Sequence, residues 1–305
     1  MPDFKVHILG CGSATPTAKH KPSCQVIETR GKLFMIDCGE GAQLEFRRQG
    51  LKFSRLNHIF ISHMHGDHFL GLPGLLSTMA LHQKEGEVTV HIHPEGAALL
   101  QQIMAVLCRD TGFELKYDII EPGGSYVLYE DKSLTVSTFP LYHRIACSGF
   151  MFKEKEPRRP LRADMLEFHK VPVAARRSIA EGADFTDAEG RVIPNAWLTR
   201  DPEPAVSYAY CSDTMRKAAV ARSVAGVRCL YHEATYDDAQ AFKAAARGHS
   251  TAREAAAVAR EAGAQHLVIG HYSKSITDES LLTKQAAEEF GGKITAAKEG
   301  LIFEP

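Results

Sequence analysis

Apolar residues along this chain fall into short runs that stop abruptly at glycine-rich or polar turns. Lys5-Val6-His7-Ile8-Leu9 runs into Gly10-Cys11-Gly12-Ser13, and Leu33-Phe34-Met35-Ile36 runs into Asp37-Cys38-Gly39-Glu40-Gly41. His58-Ile59-Phe60-Ile61-Ser62 stops at His63, Leu134 to Phe139 precedes His143, Ser207 to Cys211 precedes Asp213, and Leu267 to Gly270 precedes His271. Runs of this length bounded by such turns predict strands. Longer stretches, several rich in alanine, predict helices over Gly41–Arg48, Glu95–Cys108, Met215–Ala225, Ala234–Arg247, Thr251–Ala262 and Asp278–Phe290. Strands and helices alternate, so the class is α/β. The segment from about 152 to 197 differs: prolines at 157, 160, 172 and 194 and scattered charge break any apolar period, which predicts an inserted arm.

The residues that follow the strands carry the chemistry. His63-Met64-His65-Gly66-Asp67-His68 places four potential metal ligands within six residues, directly after an apolar run. Imidazole and carboxylate in such a turn suit zinc, with manganese and iron as alternatives. A polar loop with incidental histidines is the competing reading of that turn. His143, Asp213 and His271 are each weak alone, because a single histidine after a strand is ordinarily a hydrogen-bonded structural residue. Together with the turn they complete two coordination shells at strand ends, where open sheets place their sites, with Asp213 able to bridge two cations. His91-x-His93 shares the spacing but has no aspartate beside it in sequence, so a structural role is expected there.

Composition narrows the setting. The 305 residues are 44% hydrophobic, enough for a substantial core. No apolar stretch is long enough to span a membrane and the start resembles no leader, so a soluble cytoplasmic protein is expected. Seven scattered cysteines without a Cys-x-x-Cys pair predict buried reduced thiols, neither a disulfide framework nor a thiolate zinc site. A net charge of −1 supplies no global attraction to nucleic acid, so any RNA affinity must be local. Lys153 to Arg177, with eight Lys/Arg against four Asp/Glu, reads equally as a solvated loop or an RNA-contacting arm.

The ordered set His63 to His68, His143, Asp213 and His271 resembles motifs II to V of the metallo-β-lactamase superfamily, over nearly the whole chain. Leu9-Gly10-Cys11-Gly12-Ser13-Ala14-Thr15-Pro16-Thr17, Asp37 to Gly41, His232-Glu233-Ala234-Thr235 and His249-Ser250-Thr251 resemble its ribonuclease Z family. That resemblance implies one metallo-β-lactamase-like domain over 1–305, a four-layer αβ/βα sandwich with the arm at 152–197 as substrate exosite. It implies two Zn2+ per subunit: His63, His65 and His143 on one, Asp67, His68 and His271 on the other, Asp213 on both. The implied reaction is hydrolysis of precursor tRNA after the discriminator nucleotide, by a homodimer in which one subunit's arm presents tRNA to the other's site. Asp67 then orients or deprotonates water, His249 protonates the departing 3′-oxygen, and Glu233 and His232 orient ligands from behind. Three departures concern the substrate. The first loop continues Pro16-Thr17 with Ala18-Lys19-His20-Lys21 where many of the family read P-T-x-x-R-N, keeping basic character. The last motif reads His271-Tyr272-Ser273-Lys274-Ser275-Ile276 without the family's arginine, leaving Lys274 as a point charge, and the arm carries Arg176 and Arg177 in place of a Gly-Pro-rich stretch. Rival readings are a small-molecule phosphodiesterase or arylsulfatase on the same scaffold, and a non-catalytic RNA-binding protein.

Overall fold

The computed structural model describes residues 4–305. In chain order the strands are β1 (Phe4–Gly10), β2 (Cys24–Thr29), β3 (Lys32–Ile36), β4 (Leu56–Phe60), β5 (Gly86–Ile92), β6 (Phe113–Ile119), β7 (Tyr126–Glu130), β8 (Leu134–Tyr142), β9 (Ala146–Glu154), β10 (Phe185–Thr186), β11 (Val192–Ile193), β12 (Ser207–Cys211), β13 (Cys229–Glu233), β14 (His266–Gly270), β15 (Lys293–Ala296) and β16 (Ile302–Phe303). They form two seven-stranded mixed sheets, ordered β16-β1-β2-β3-β4-β5-β6 and β15-β14-β13-β12-β9-β8-β7, and the ribbon β10-β11. Strands β3 to β6 run parallel, as do β12 to β15.

The chain divides into two compact units, one of residues 1–130, 135–153 and 207–305 and the other of 131–134 and 154–206. Within the first, the sheets face each other across aromatic side chains. Phe34 meets Phe152 at 5.9 Å and Phe60 meets Phe150 at 5.4 Å, ring centre to ring centre. On the outer side of the first sheet, the helices Ala42–Arg48, Leu72–Leu81 and Pro94–Leu107 bury Phe46, Leu75, Leu76, Met79 and Leu100 against Val26, Met35, Ile59 and Val90. The second sheet is covered by Ala218–Ser223, Ala252–Ala262 and Glu279–Ala287. This is the four-layer αβ/βα sandwich expected of the sequence. The second unit has its own small core of Leu166, Val171, Ile179, Ile193 and Leu198.

The helices depart from expectation in places: the one over Met215–Ala225 shortens to Ala218–Ser223 and the one over Asp278–Phe290 to Glu279–Ala287. Leu72–Leu81 is a helix not anticipated from the apolar pattern, with Pro73 in its first turn, where proline is favoured. The expected helix over Ala234–Arg247 shortens to Ala241–Arg247 after a single tight turn at Asp238–Gln240. Residues 234–236 stay extended because the Thr235 hydroxyl and the Tyr236 backbone are committed to other partners.

Candidate metal centre

Three chain segments position the His63 to His68 turn. His63 follows β4, His65 caps the short helix Gly66–Phe69, and Asp67 and His68 lie in that helix. The turn is clamped to the loop after β3: the Cys38 N–H donates to the His68 carbonyl at 2.8 Å and the Gly71 N–H to the Cys38 carbonyl at 2.9 Å. The approach is so close that a Cβ on Gly39 would lie 2.5 Å from the Asp67 carbonyl oxygen, so only glycine fits. His143, Asp213 and His271 follow β8, β12 and β14, and the structure brings all seven residues together.

Their donor atoms form two sets. His63 Nε2 lies 3.0 Å and His143 Nε2 3.3 Å from His65 Nδ1, and Asp213 Oδ2 lies 3.6 and 3.7 Å from the two Nε2 atoms. In the second set, His271 Nε2 is 3.2 Å from His68 Nε2 and 3.3 Å from Asp67 Oδ2, while Asp213 Oδ1 is 3.1 Å from His271 Nε2 and 3.5 Å from His68 Nε2. One Asp213 oxygen therefore faces each set.

Four of the imidazoles are held by the nitrogen that faces away. His68 Nδ1–H donates to Asp37 at 2.7 Å, His143 Nδ1–H to the Gly248 carbonyl at 2.8 Å, His271 Nδ1–H to the Thr235 hydroxyl at 2.9 Å and His63 Nδ1–H to the Ser62 hydroxyl at 3.0 Å. These bonds leave each Nε2 as a bare lone pair aimed into the cluster, the arrangement that orients metal-ligating histidines. Asp213 Oδ1 is buried and accepts no hydrogen bond among the described residues. A buried, unsatisfied carboxylate oxygen ringed by lone pairs is stabilised by a cation, so the donor set fits divalent metal. Burial, with neighbouring imidazoles, pushes His63 and His65 below the ordinary histidine value. Against the cost of burial, His68 and His271 hold the Asp67 carboxyl far below the usual carboxylate range.

His249 and Glu233 stand beside the cluster. The His249 ring is 4.9 Å from that of His143 and 5.6 Å from that of His271, centre to centre, and its Nδ1–H donates to Glu233 at 2.8 Å. Glu233 is fully buried and also accepts from the Thr214 N–H and the Thr235 hydroxyl, so one carboxylate steadies both His249 and the threonine that holds His271. Against its burial, Glu233 raises the His249 imidazole to about 9. His232 lies apart from this network: it is buried, its Nδ1 meets the Glu233 carbonyl at 2.7 Å, and its Nε2 has no partner among the described residues. Lys274 lines the cleft in front of the cluster, while Arg176 and Arg177 belong to the second unit, where Arg177 pairs with Glu181. His91 is bonded to Asp118 and His58, and His93 to Ser148.

Sequence reasoning quoted Asp37 within a motif but assigned it no role. Fully buried, it accepts from His68, from the Ser62 N–H at 2.7 Å and hydroxyl at 2.9 Å, and from the Tyr210 hydroxyl at 2.8 Å, tying both sheets to the cluster. Its φ of 54° and that of His271, 63°, are left-handed conformations that side chains rarely adopt, maintained by these bonds. The signal was present, since Asp37 follows an apolar strand as the other site residues do. All seven cysteines are free and, except for the half-buried Cys108, buried. Burial holds the Cys147 thiol, 3.7 Å from His63 Nδ1, well above the ordinary range.

A sandwich of two mixed sheets whose strand-end loops gather five histidines and two aspartates into paired donor sets defines a hydrolase of the metallo-β-lactamase fold. Comparison agrees: the chain is similar to the metallo-β-lactamase fold protein YhfI from Bacillus subtilis, 18% identical with 99% of each chain covered and a TM-score of 0.70, a likeness of fold. A family model described as Anti-Pycsar protein Apyc1 matches residues 4–154. The chain is 46% identical to a ribonuclease Z of Bacteroides fragilis over 99% of both chains, and 25% identical to human tRNase Z, short form, over 98% of both with a TM-score of 0.71. It belongs to the ribonuclease Z family, metal-dependent endoribonucleases on this fold. Among the described residues no helix is long and apolar enough to cross a membrane.

Proposed function

We propose that this protein is a two-zinc endoribonuclease that cuts precursor tRNA 3′ of the discriminator nucleotide and leaves a 3′-hydroxyl. The observation that carries the reading is the division of Asp213 between two donor sets in which four of the five imidazoles are fixed from behind. His63, His65, His143 and Asp213 would hold one Zn2+, and Asp67, His68, His271 and Asp213 the other. The chemistry two divalent cations supply at such a site is Lewis-acid polarisation of a phosphodiester and acidification of water.

The chain's own groups supply the rest. Asp67, ionised and fixed by the Ala14 N–H at 2.6 Å, orients the attacking water, whose proton passes to solvent as the water is acidified. As the new P–O bond forms, the bond from phosphorus to the 3′-oxygen breaks. His249, protonated at neutral pH with Nδ1–H on Glu233, delivers the Nε2 proton to that oxygen, and Glu233 keeps the ring in place. In this reading the second unit, with Arg176 and Arg177, is the arm that engages the body of tRNA, the enzyme is a homodimer, one subunit's arm serving the other's site, and it works in the cytoplasm.

The test is to incubate purified protein with an unprocessed tRNA transcript, with and without chelator, and to map the ends. A single chelator-sensitive cut after the discriminator nucleotide is expected. Hydrolysis of a small chromogenic phosphodiester with the transcript left intact would instead favour a small-molecule phosphodiesterase on the same scaffold.

A further inference from the structure

The cleft fronting the cluster, about 670 Å³, is lined by His65, Asp67 and His249 and also by Arg144, Tyr236, Arg247 and Lys274. None of its three cationic side chains meets a carboxylate among the described residues. Elsewhere in the same unit Arg55, Arg216, Arg253 and Arg260 are each paired with a glutamate or aspartate. Leaving cations unpartnered around one cleft is a binding arrangement for an anion.

The placement of two of them follows from how a metal-site histidine is held. Gly248 ends the helix Ala241–Arg247 with a φ of 75°, and its carbonyl accepts the His143 Nδ1–H. A Cβ there would lie 3.0 Å from His143 Nδ1 and 3.4 Å from Arg144 Cγ, so the two chain segments touch. Arg144 comes next after His143 and Arg247 just before Gly248, so the bond that fixes the imidazole also brings both arginines to the same cleft. Tyr236, buried, accepts from Arg247 Nη1 at 3.1 Å and steadies it, and its ring lies 6.1 Å from that of His249.

We propose that Arg144 and Arg247 form a guanidinium grip on backbone phosphate oxygens of the RNA strand beside the scissile bond, with Tyr236 as the positioning residue for Arg247. The proposal rests on the endoribonuclease reading above. Guanidinium is the group for the task, because its planar fork matches two phosphate oxygens at once, which the ammonium of Lys274 cannot do.

The experiment measures kcat, KM and the salt dependence of KM for a precursor tRNA with the zinc-loaded wild type, R247Q, R247K and Y236F, checking zinc content in each. R247Q should raise KM about tenfold, the loss of a charged hydrogen-bonding contact. Its kcat should stay within about twofold and its salt slope should fall by roughly 0.7, one phosphate contact on a single strand. R247K should restore the slope but not the full affinity, and Y236F should lie between R247Q and wild type. An R247Q enzyme with wild-type KM and slope, or one that loses kcat at unchanged KM, overturns the grip. A wild type that binds the transcript without cutting it overturns the function instead, and the salt slope of Kd then tests the grip by the same criterion.

Discussion

The metal cluster and the second unit are built on opposite principles. Around the cluster His63, His68, His143 and His271 each have one nitrogen committed to a buried or backbone acceptor, and Asp37 alone accepts four hydrogen bonds. The second unit buries only a handful of apolar residues and leaves Phe168 76%, Val173 75%, Val192 63% and Trp197 54% exposed. A segment that small cannot enclose all of its own apolar side chains. Chemistry needs donors fixed before substrate arrives, and in the reading proposed above the second unit instead offers area and charge to a large polyanion.

That contrast can be broken at several points. Asp213→Asn, which takes a carboxylate oxygen from one of the two donor sets, should lower kcat/KM for precursor tRNA by at least about 10³-fold. Zinc analysis should show less metal in the same protein, and full metal with full activity would refute the bridging role. His249→Ala should lower kcat by roughly 10²–10⁴-fold with zinc content near wild type. Because the His249 imidazole is raised, its acid form is present through neutrality, so the wild-type kcat should fall only as pH rises through about 9. The His249→Ala profile should lack that alkaline limb, and an unchanged limb would assign it to another group. Asp37→Asn should cost about 10–100-fold in metal affinity, read by competition with a chelator. Leu198→Ala, in the second unit's core, should destabilise that unit by about 2–5 kcal/mol. Hydrogen exchange should speed within 154–206 while turnover of a small phosphodiester is unchanged; a matching loss of that turnover would mean the two units are not energetically separate.

Much of the architecture was written in the local pattern. Each strand that ends at a site residue was visible as an apolar run stopping at histidine or aspartate, because a buried strand cannot satisfy such a group and a strand-end loop can. Asp37 was visible as part of a motif but without a role, because that role depends on Ser62, His68 and Tyr210, which only the fold brings to it. Arg144 and Arg247 were silent for the same reason: neither has a motif, and their pairing arises from one hydrogen bond between His143 and Gly248. His232, expected to orient ligands from behind, makes its hydrogen bond to the Glu233 backbone instead. It sits beside Glu233 in sequence, but alternation along a strand sends neighbouring side chains to opposite faces, and Glu233 alone reaches His249.

The burial of the cysteines has a practical corollary. Six of the seven thiols are shut inside the fold and only Cys108, at the end of the helix Pro94–Leu107, meets solvent, so a maleimide dye added to the folded protein attaches at one place. Reaction at the others then becomes a clock for opening of the sandwich, read without altering a single residue.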